Sequence, residues 1–435
     1  MPTEYTFASE ISYCASNWCY DLMQLKNPPT DVKQCVHTVC WEDIANASKG
    51  AAMQPKFDKT FAISNQVLLA VQLSEKRVVS FSYSCPPPQS QFIFNQFQYP
   101  NSGKWIDAAC ITDGFKTKLE GRYDFSIYIL TDQNELIVFN MQPYSNMLQK
   151  PYHIAINSKH QYTKLIDCNS GEINSFGANN RLYLWTPKKK MLQQFEIKLY
   201  SARERIIRSI PENCQGIAEP VSYMAFKIKA PKLNGVELPY DGTALALSVD
   251  GHRNSVLCAD AQNHVLFECT LGSSNSTILC GLGKPGCMGK EGTNTWAAPL
   301  NTPCAPMVFR PQEFVSQDQF TSFSWNILNV GADPRIVLLC DSGNQAVRKI
   351  WQFPKTSHAD DLSDLNRIYT LLRQDENEQP KRKKELLQLP CNDPKALYVN
   401  PCGILTVTTA DCAHILCSTV AAIDERAVEG DNSTS

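Results

Sequence analysis

Between Arg181 and Lys232 eleven basic side chains stand against four acidic ones, a local excess of +7 in a chain whose formal net charge is −2. Lys188, Lys189, Lys190, Arg203, Arg205, Arg208, Lys227, Lys229 and Lys232 are its candidate binding residues. Ammonium and guanidinium groups at this density can hold phosphates, and Tyr183, Trp185 or Tyr200 could offer rings on which single-stranded RNA bases stack. The same charge would equally dock an acidic protein, and a solvated basic flank is the third reading. A second basic run, Lys381-Arg382-Lys383-Lys384, has the composition of a nuclear import signal.

Other residue patterns that could carry chemistry fall short on spacing. Gly281-Leu-Gly283-Lys-Pro-Gly286 matches the dinucleotide fingerprint, but a proline-rich stretch follows where a helix N-terminus would have to meet a pyrophosphate. Glu291 stands where a phosphate-binding loop needs Ser or Thr. Cys14 and Cys19, and Cys35 and Cys40 with His37 between them, are thiolate and imidazole donors for zinc, yet four residues separate each pair where zinc knuckles use two. No HExxH, G-x-S-x-G or other nucleophile-and-base signature occurs. No catalytic residue, cofactor or metal is therefore expected, nor a small-molecule substrate.

Composition sets the frame in which those residues must be held. The chain has 435 residues, 43% of them hydrophobic and 19% charged, enough for a substantial core. Its first fifteen residues carry Glu4 and Glu10 and no apolar segment of the secretory kind, and no run of 18 apolar residues is present. The expectation is a cytoplasmic or nuclear chain without membrane contact, most of whose 18 cysteines are buried free thiols.

The apolar pattern is short and β-like, with Gly, Asn, Asp, Ser and Pro clusters between runs. Six stretches share one plan of apolar strand, polar turn and apolar strand: 68–83, 127–141, 182–197, 255–270, 335–350 and 404–419. Repeated sheets that cannot bury both faces alone are satisfied by stacking radially. The expected fold is therefore an all-β, six-bladed β-propeller over 59–424. Residues 1–58 form an N-terminal extension able to supply a ring-closing strand, and 425–435 a disordered tail. An amphipathic helical pattern over 361–373 competes with a strand there.

The later copies carry more detail. Asp260-Ala-Gln-Asn263-His264-Val265 and Asp341-Ser-Gly-Asn344 occupy equivalent turns, each leading to a further strand, STILCG or RIYTLLR. Asn400-Pro-Cys-Gly403 precedes the last strand pair, which turns at Asp411-Cys-Ala-His414. Over roughly 240–420 these residues make the chain resemble the NHL-repeat β-propellers, whereas Ser74-Glu75-Lys76, Asp132-Gln133-Asn134 and Pro187-Lys188-Lys189-Lys190 replace the motif in the first three copies, which could equally be WD40-like or irregular blades. The resemblance implies a non-enzymatic scaffold for protein–protein interactions within a complex. It also admits an RNA-binding propeller using a basic face, and a metal-dependent propeller hydrolase or lyase with histidines around a central metal.

Overall fold

Each of the six apolar strand pairs is the middle hairpin of a four-strand antiparallel unit; three units are separate four-stranded sheets, two share one eight-stranded sheet and one lies within a six-stranded sheet. The computed structural model describes residues 32–41, 56–63, 67–82, 93–99, 103–113, 124–141, 148–166, 181–210, 214–251, 253–273, 275–288, 293–309, 335–352, 367–373, 387–388, 391–400 and 404–420. After β1 (Val32–Cys40), the first sheet runs β2 (Lys59–Ala62), β3 (Val67–Gln72), β4 (Arg77–Ser82) and β5 (Ile93–Gln98). The second comprises β6 (Trp105–Asp113), β7 (Asp124–Thr131), β8 (Glu135–Met141) and β9 (Tyr152–Ile156). The third comprises β10 (Lys164–Ile166), β11 (Arg181–Thr186), β12 (Met191–Leu199) and, after the short helix α1 (Ala202–Ile207), β13 (Cys214–Lys227).

A small hairpin of β14 (Lys232–Leu233) and β15 (Val236–Glu237) leads to the fourth sheet, β16 (Leu245–Asp250), β17 (Ser255–Asp260), β18 (Val265–Thr270) and β19 (Ser276–Cys280). Next, β20 (Thr293–Asn294) precedes the fifth, β21 (Pro303–Phe309), β22 (Arg335–Asp341), β23 (Ala346–Gln352) and β24 (Arg367–Arg373). Both β20 and β25 (Leu387–Gln388) attach to β24. The sixth sheet is β26 (Ala396–Val399), β27 (Leu405–Thr408), β28 (Cys412–Val420) and, from the other end of the chain, β1. The protein is thus all-β. Residues 367–373 are strand, paired with β23, so cross-strand packing overrides the helical periodicity there.

The sheets pack face to face in chain order. One buried cluster joins Val71 and Val78 to Ile127 and Phe139, and the next joins Leu136 and Ile154 to Leu184 and Phe195. Three more join the third sheet to the fourth, the fourth to the fifth and the fifth to the sixth. Being covered on both sides, β3, β17 and β22 are buried at every position, which is why they read as unbroken apolar runs instead of alternating ones. Each fully buried Val, Leu, Ile or Phe contributes about 1.5–3 kcal/mol. The series also meets itself. Phe61 of β2 packs edge-on against Tyr398 of β26 with centroids 5.1 Å apart, Thr60 Oγ1 hydrogen-bonds Thr408 Oγ1 at 2.7 Å, and Ala62 N donates to Thr406 Oγ1 at 2.9 Å. The second and third sheets are further joined through parallel pairing of β9 with β13.

The turns of the middle hairpins follow one backbone rule. Lys76, Asn134, Lys190, His264 and Gln345 each precede the third strand of their sheet, with φ between 49° and 57°. That left-handed conformation lets the chain re-enter the ladder after a tight turn, and Asn tolerates it better than Lys, His or Gln. In the fourth and fifth sheets the aspartate side chain organises the turn. Asp260 Oδ1 accepts from the backbone N–H groups of Gln262 and Asn263, both at 3.0 Å. Asn263 Nδ2 reaches out to Pro239 O at 2.6 Å, and Asn344 Nδ2 to Gly286 O at 2.9 Å, so each turn is tied to the linker arriving from the preceding sheet. Asn134 makes the corresponding bond to His160 O in the linker that follows its own sheet.

One ion cluster is buried between the fourth and fifth sheets. The Arg335 guanidinium, fully buried, donates to Asp250 Oδ2 and Glu268 Oε2, both at 2.6 Å, and to Gln352 Oε1 at 2.8 Å. Charges this deep are tolerated because the planar fork is matched by acceptors. Replacing Arg335 with Met, which strands the two carboxylates, is expected to destabilise the protein by about 3–5 kcal/mol in denaturant unfolding. Gln345→Gly, which relieves the left-handed backbone, is expected to stabilise it by about 0.5–1 kcal/mol in the same measurement.

Candidate interaction surface

Strand β12 divides the basic segment in two. It pairs antiparallel with both β11 and β13, so its ends point to opposite edges of the sheet, about 26 Å apart at roughly 3.3 Å per residue. At its start the 3₁₀ turn Pro187–Lys189 and the left-handed Lys190 hold three lysines outward. Lys227 lies opposite Met191, and Ile228 N donates to Lys190 O at 2.9 Å, which brings Lys227, Lys229 and the β14 residue Lys232 to the same edge. Beyond the other end of β12 lie Arg203 and Arg205 on α1 and Arg208 at its C-terminal cap. The nine residues expected to form one surface therefore make two, because a strand of that length cannot put both its ends on one face.

The lysine edge is the more strongly charged. Lys188, Lys189, Lys190, Lys227, Lys229 and Lys232 are all exposed, and among the described residues none of these six makes an ion pair. Lys189 Nζ lies 3.1 Å from His160 Nε2, and exposed Lys159 sits beside it in the β9–β10 linker. Lys190 Nζ lies 4.0 Å from the centre of the Tyr240 ring, a cation–π contact, and the Tyr240 hydroxyl donates to Ile228 O. Burial is the main cause that pushes the Tyr240 hydroxyl pKa up. Thr243, through its hydroxyl and its backbone N–H, holds the Asp241 carboxyl below its ordinary range, with Lys190 adding to the effect. Lys159 and Tyr240 lie outside the basic segment and enter only through the fold; their sole sequence signal is membership of polar stretches between strands.

The arginine edge is closer to balance. Ser201 caps α1 with Glu204 completing a capping box, and the Ser201 hydroxyl holds Glu204 below its ordinary pKa. Lys198 is paired with Glu219 at 2.5 Å, and Arg208 lies 4.7 Å from the Tyr200 ring. Ile206 and Ile207 are 80% and 72% exposed between these arginines.

Of the rings expected to stack on bases, Tyr183 and Trp185 are interior, at 4% and 0% exposure. Trp185 Nε1 donates to Gly242 O at 2.9 Å, so its polar edge is spent on the linker. Tyr200 is half-buried beneath Arg208.

The glycine fingerprint has a structural explanation. Gly281 (φ +102°) and Gly283 (φ +74°) follow β19 in a loop, and a Cβ on Gly281 would stand 2.3 Å from His264 O. The glycines let that loop cross the neighbouring hairpin turn. His264 Nδ1 accepts the backbone N–H of Thr302 at 3.0 Å. No group of three or more His, Cys, Asp or Glu among the described residues could hold a metal ion. No helix among them is long and apolar enough to cross a membrane. Lys381, Arg382, Lys383 and Lys384, Cys14 and Cys19, and residues 425–435 lie outside the described residues, as does the side chain of His37.

No protein-family model matches the chain, and no curated protein matches it. Solved structures give distant likenesses. A structural-genomics protein of unknown function from Bacteroides thetaiotaomicron is 13% identical at TM-score 0.48, over 89% of this chain and 76% of that one. An auxiliary nutrient binding protein from Bacteroides ovatus is 11% identical at TM-score 0.46, over 83% and 70%. Streptogramin B lyase is 9% identical at TM-score 0.36, over 88% and 97%. At these scores the likenesses transfer neither a fold nor an activity.

Thiol reactivity separates surface from core. Burial pushes the Cys280 and Cys391 thiols up to about 12, whereas Cys287 is exposed. At pH 8 a thiol with such a pKa is ionised in roughly one molecule in 10⁴. Iodoacetamide under native conditions is expected to label Cys287 to completion and leave Cys280 and Cys391 unmodified, as read by peptide mass mapping.

Proposed function

We propose that the six successive sheets are the blades of an NHL-like β-propeller, and that the protein is a non-enzymatic platform for protein–protein interaction. In that architecture the middle-hairpin turns and the linkers between sheets share one face of the disc, where the lysine edge of the third sheet lies. The observation that carries the reading is the set of exposed lysines around Lys190, six strong with no ion-paired partner among the described residues. Their charge suits an acidic segment of another protein. Lysine offers a compact, freely rotating point charge, adequate for carboxylates that vary in position, whereas bidentate phosphate recognition favours arginine. An RNA-binding propeller remains the second reading, but the interior position of Tyr183 and Trp185 deprives it of the stacking surfaces that single-strand binding uses.

The test is fluorescence anisotropy with two labelled probes, a poly-glutamate peptide and oligo(U) RNA, at low and at moderate salt. Lys188→Glu/Lys189→Glu/Lys190→Glu is expected to weaken peptide binding at least tenfold, while Arg203→Glu/Arg208→Glu at the opposite edge leaves it within twofold. Preferential binding of oligo(U), with a steep salt dependence, would replace the protein partner by RNA. No binding of either probe would remove the lysine edge as a site.

A further inference from the structure

The pairing of β1 with β28 sets cysteine opposite cysteine: Cys40 faces Cys412, and Cys35 faces Cys417. Trp41 N donates to Asp411 O at 3.0 Å, which makes Trp41 and Asp411 a hydrogen-bonded rung. Rungs alternate along an antiparallel ladder, so Cys40 and Cys412 form a non-hydrogen-bonded pair, the closer kind, with Cα atoms about 4.5 Å apart. That spacing lies inside the range a disulfide spans. The two side chains share one face of the sheet; burial pushes the Cys412 thiol up, and the neighbouring Cys40 thiol acts against that rise. Cys40 is partly exposed and Cys412 is buried.

The next pair on that face supplies a base. His414 Nε2 lies 3.7 Å from Cys412 Sγ, and its Nδ1 is 3.0 Å from Thr38 Oγ1. With Nδ1–H donating to Thr38 Oγ1, the Nε2 lone pair faces the Cys412 thiol. Cys304 and Cys340, also opposite one another in β21 and β22, have no imidazole described beside them.

We propose that Cys40 and Cys412 are a redox-active dithiol, oxidised by a low-molecular-weight disulfide of the glutathione type into a cross-link that fastens β1 to β28. The accessible Cys40 thiolate attacks one sulfur of oxidised glutathione, forming a mixed disulfide and releasing one glutathione thiolate, which takes up the proton Cys40 gave to solvent. His414 Nε2 then accepts the Cys412 proton. The resulting thiolate attacks the Cys40 sulfur and expels the second glutathione, which receives that proton. Two protein thiols lose two electrons and two protons, and one oxidised glutathione becomes two reduced ones. The loop so closed runs from residue 40 to residue 412, and constraining a loop of that size in the unfolded chain raises stability.

The experiment uses the full chain equilibrated in glutathione buffers of graded redox poise, quenched by alkylation and mapped by mass spectrometry without reduction. The expected product is one peptide pair joined through Cys40 and Cys412, two hydrogens lighter than its parts, with a higher Tm in the oxidised protein. Cys40→Ser is expected to abolish both changes. His414→Gln is expected to slow cross-linking about tenfold or more without altering the end state. Recovery of Cys40 only as its glutathione adduct, or joined to another cysteine, would overturn the proposal. Mapping of the unsubstituted chain decides this even where a variant fails to fold.

Discussion

The contact between β2 and the sheet of β26 and β27 is the constraint on which the remaining architecture depends. Each intermediate sheet is covered on both faces by its neighbours in sequence, but the first and last sheets have a sequence neighbour on one side only. Their open faces are covered because Thr60 meets Thr408, Ala62 meets Thr406 and Phe61 meets Tyr398, residues more than 330 positions apart. Strand β1 adds a second tie, since the sixth sheet takes its fourth strand from the N-terminal part of the chain. Without these two contacts a pair of apolar sheet faces and the outer edge of β28 would be open to water and to other chains. The hydroxyls of Thr406 and Thr408 serve here as ladder substitutes: β2 and β27 exchange no strand pairing, and these side-chain oxygens accept the Ala62 and Thr60 amides that a strand would otherwise satisfy.

Much of this was legible in the sequence, for reasons that follow from where the residues sit. The described strand positions of each middle hairpin are mostly buried, so 68–83, 127–141, 182–197, 255–270, 335–350 and 404–419 carry the densest apolar signal and the clearest turns. Some of the flanking strands are short or irregular. β10 is three residues long, and β21 carries prolines at both Pro303 and Pro306 with a register shift between Cys304 and Met307. Neither has a periodicity to read. The strand at 367–373 shows the opposite failure, a helix-like spacing that the β23 ladder overrides. The turn motif is explicit where aspartate builds the turn, at Asp260 and Asp341. It is hidden at Lys76 and Lys190, where the left-handed backbone is the same but the residue type does not announce it.

The candidate surface was legible in charge and illegible in shape. A count over 181–232 finds the excess of basic residues, but only the strand pairing reveals that Lys190 and Lys227 are neighbours while Lys190 and Arg203 are not. Aromatic residues misled in the same way. Tyr183 and Trp185 stand among charged residues in sequence, yet alternate positions of β11 all point into covered layers, because both faces of that sheet are packed. The buried Arg335 cluster was equally silent: Asp250, Glu268 and Gln352 come from three strands of two sheets, and nothing in their spacing foretells their meeting.

The origin of β1 also bears on how the molecule is made. Synthesis proceeds from the N-terminus at about 5–20 residues per second, and domains organise as they emerge. Residue 32 therefore leaves the ribosome roughly 20–80 s before residue 420 does, and for that interval β1 has no partner strand. Five sheets can assemble meanwhile, each on the one before it, but the sixth waits for β28 to emerge. A nascent chain of this kind carries an unsatisfied strand until β28 emerges, the state in which strand exchange between neighbouring nascent copies is easiest, and shielding of that segment during synthesis becomes part of the folding problem.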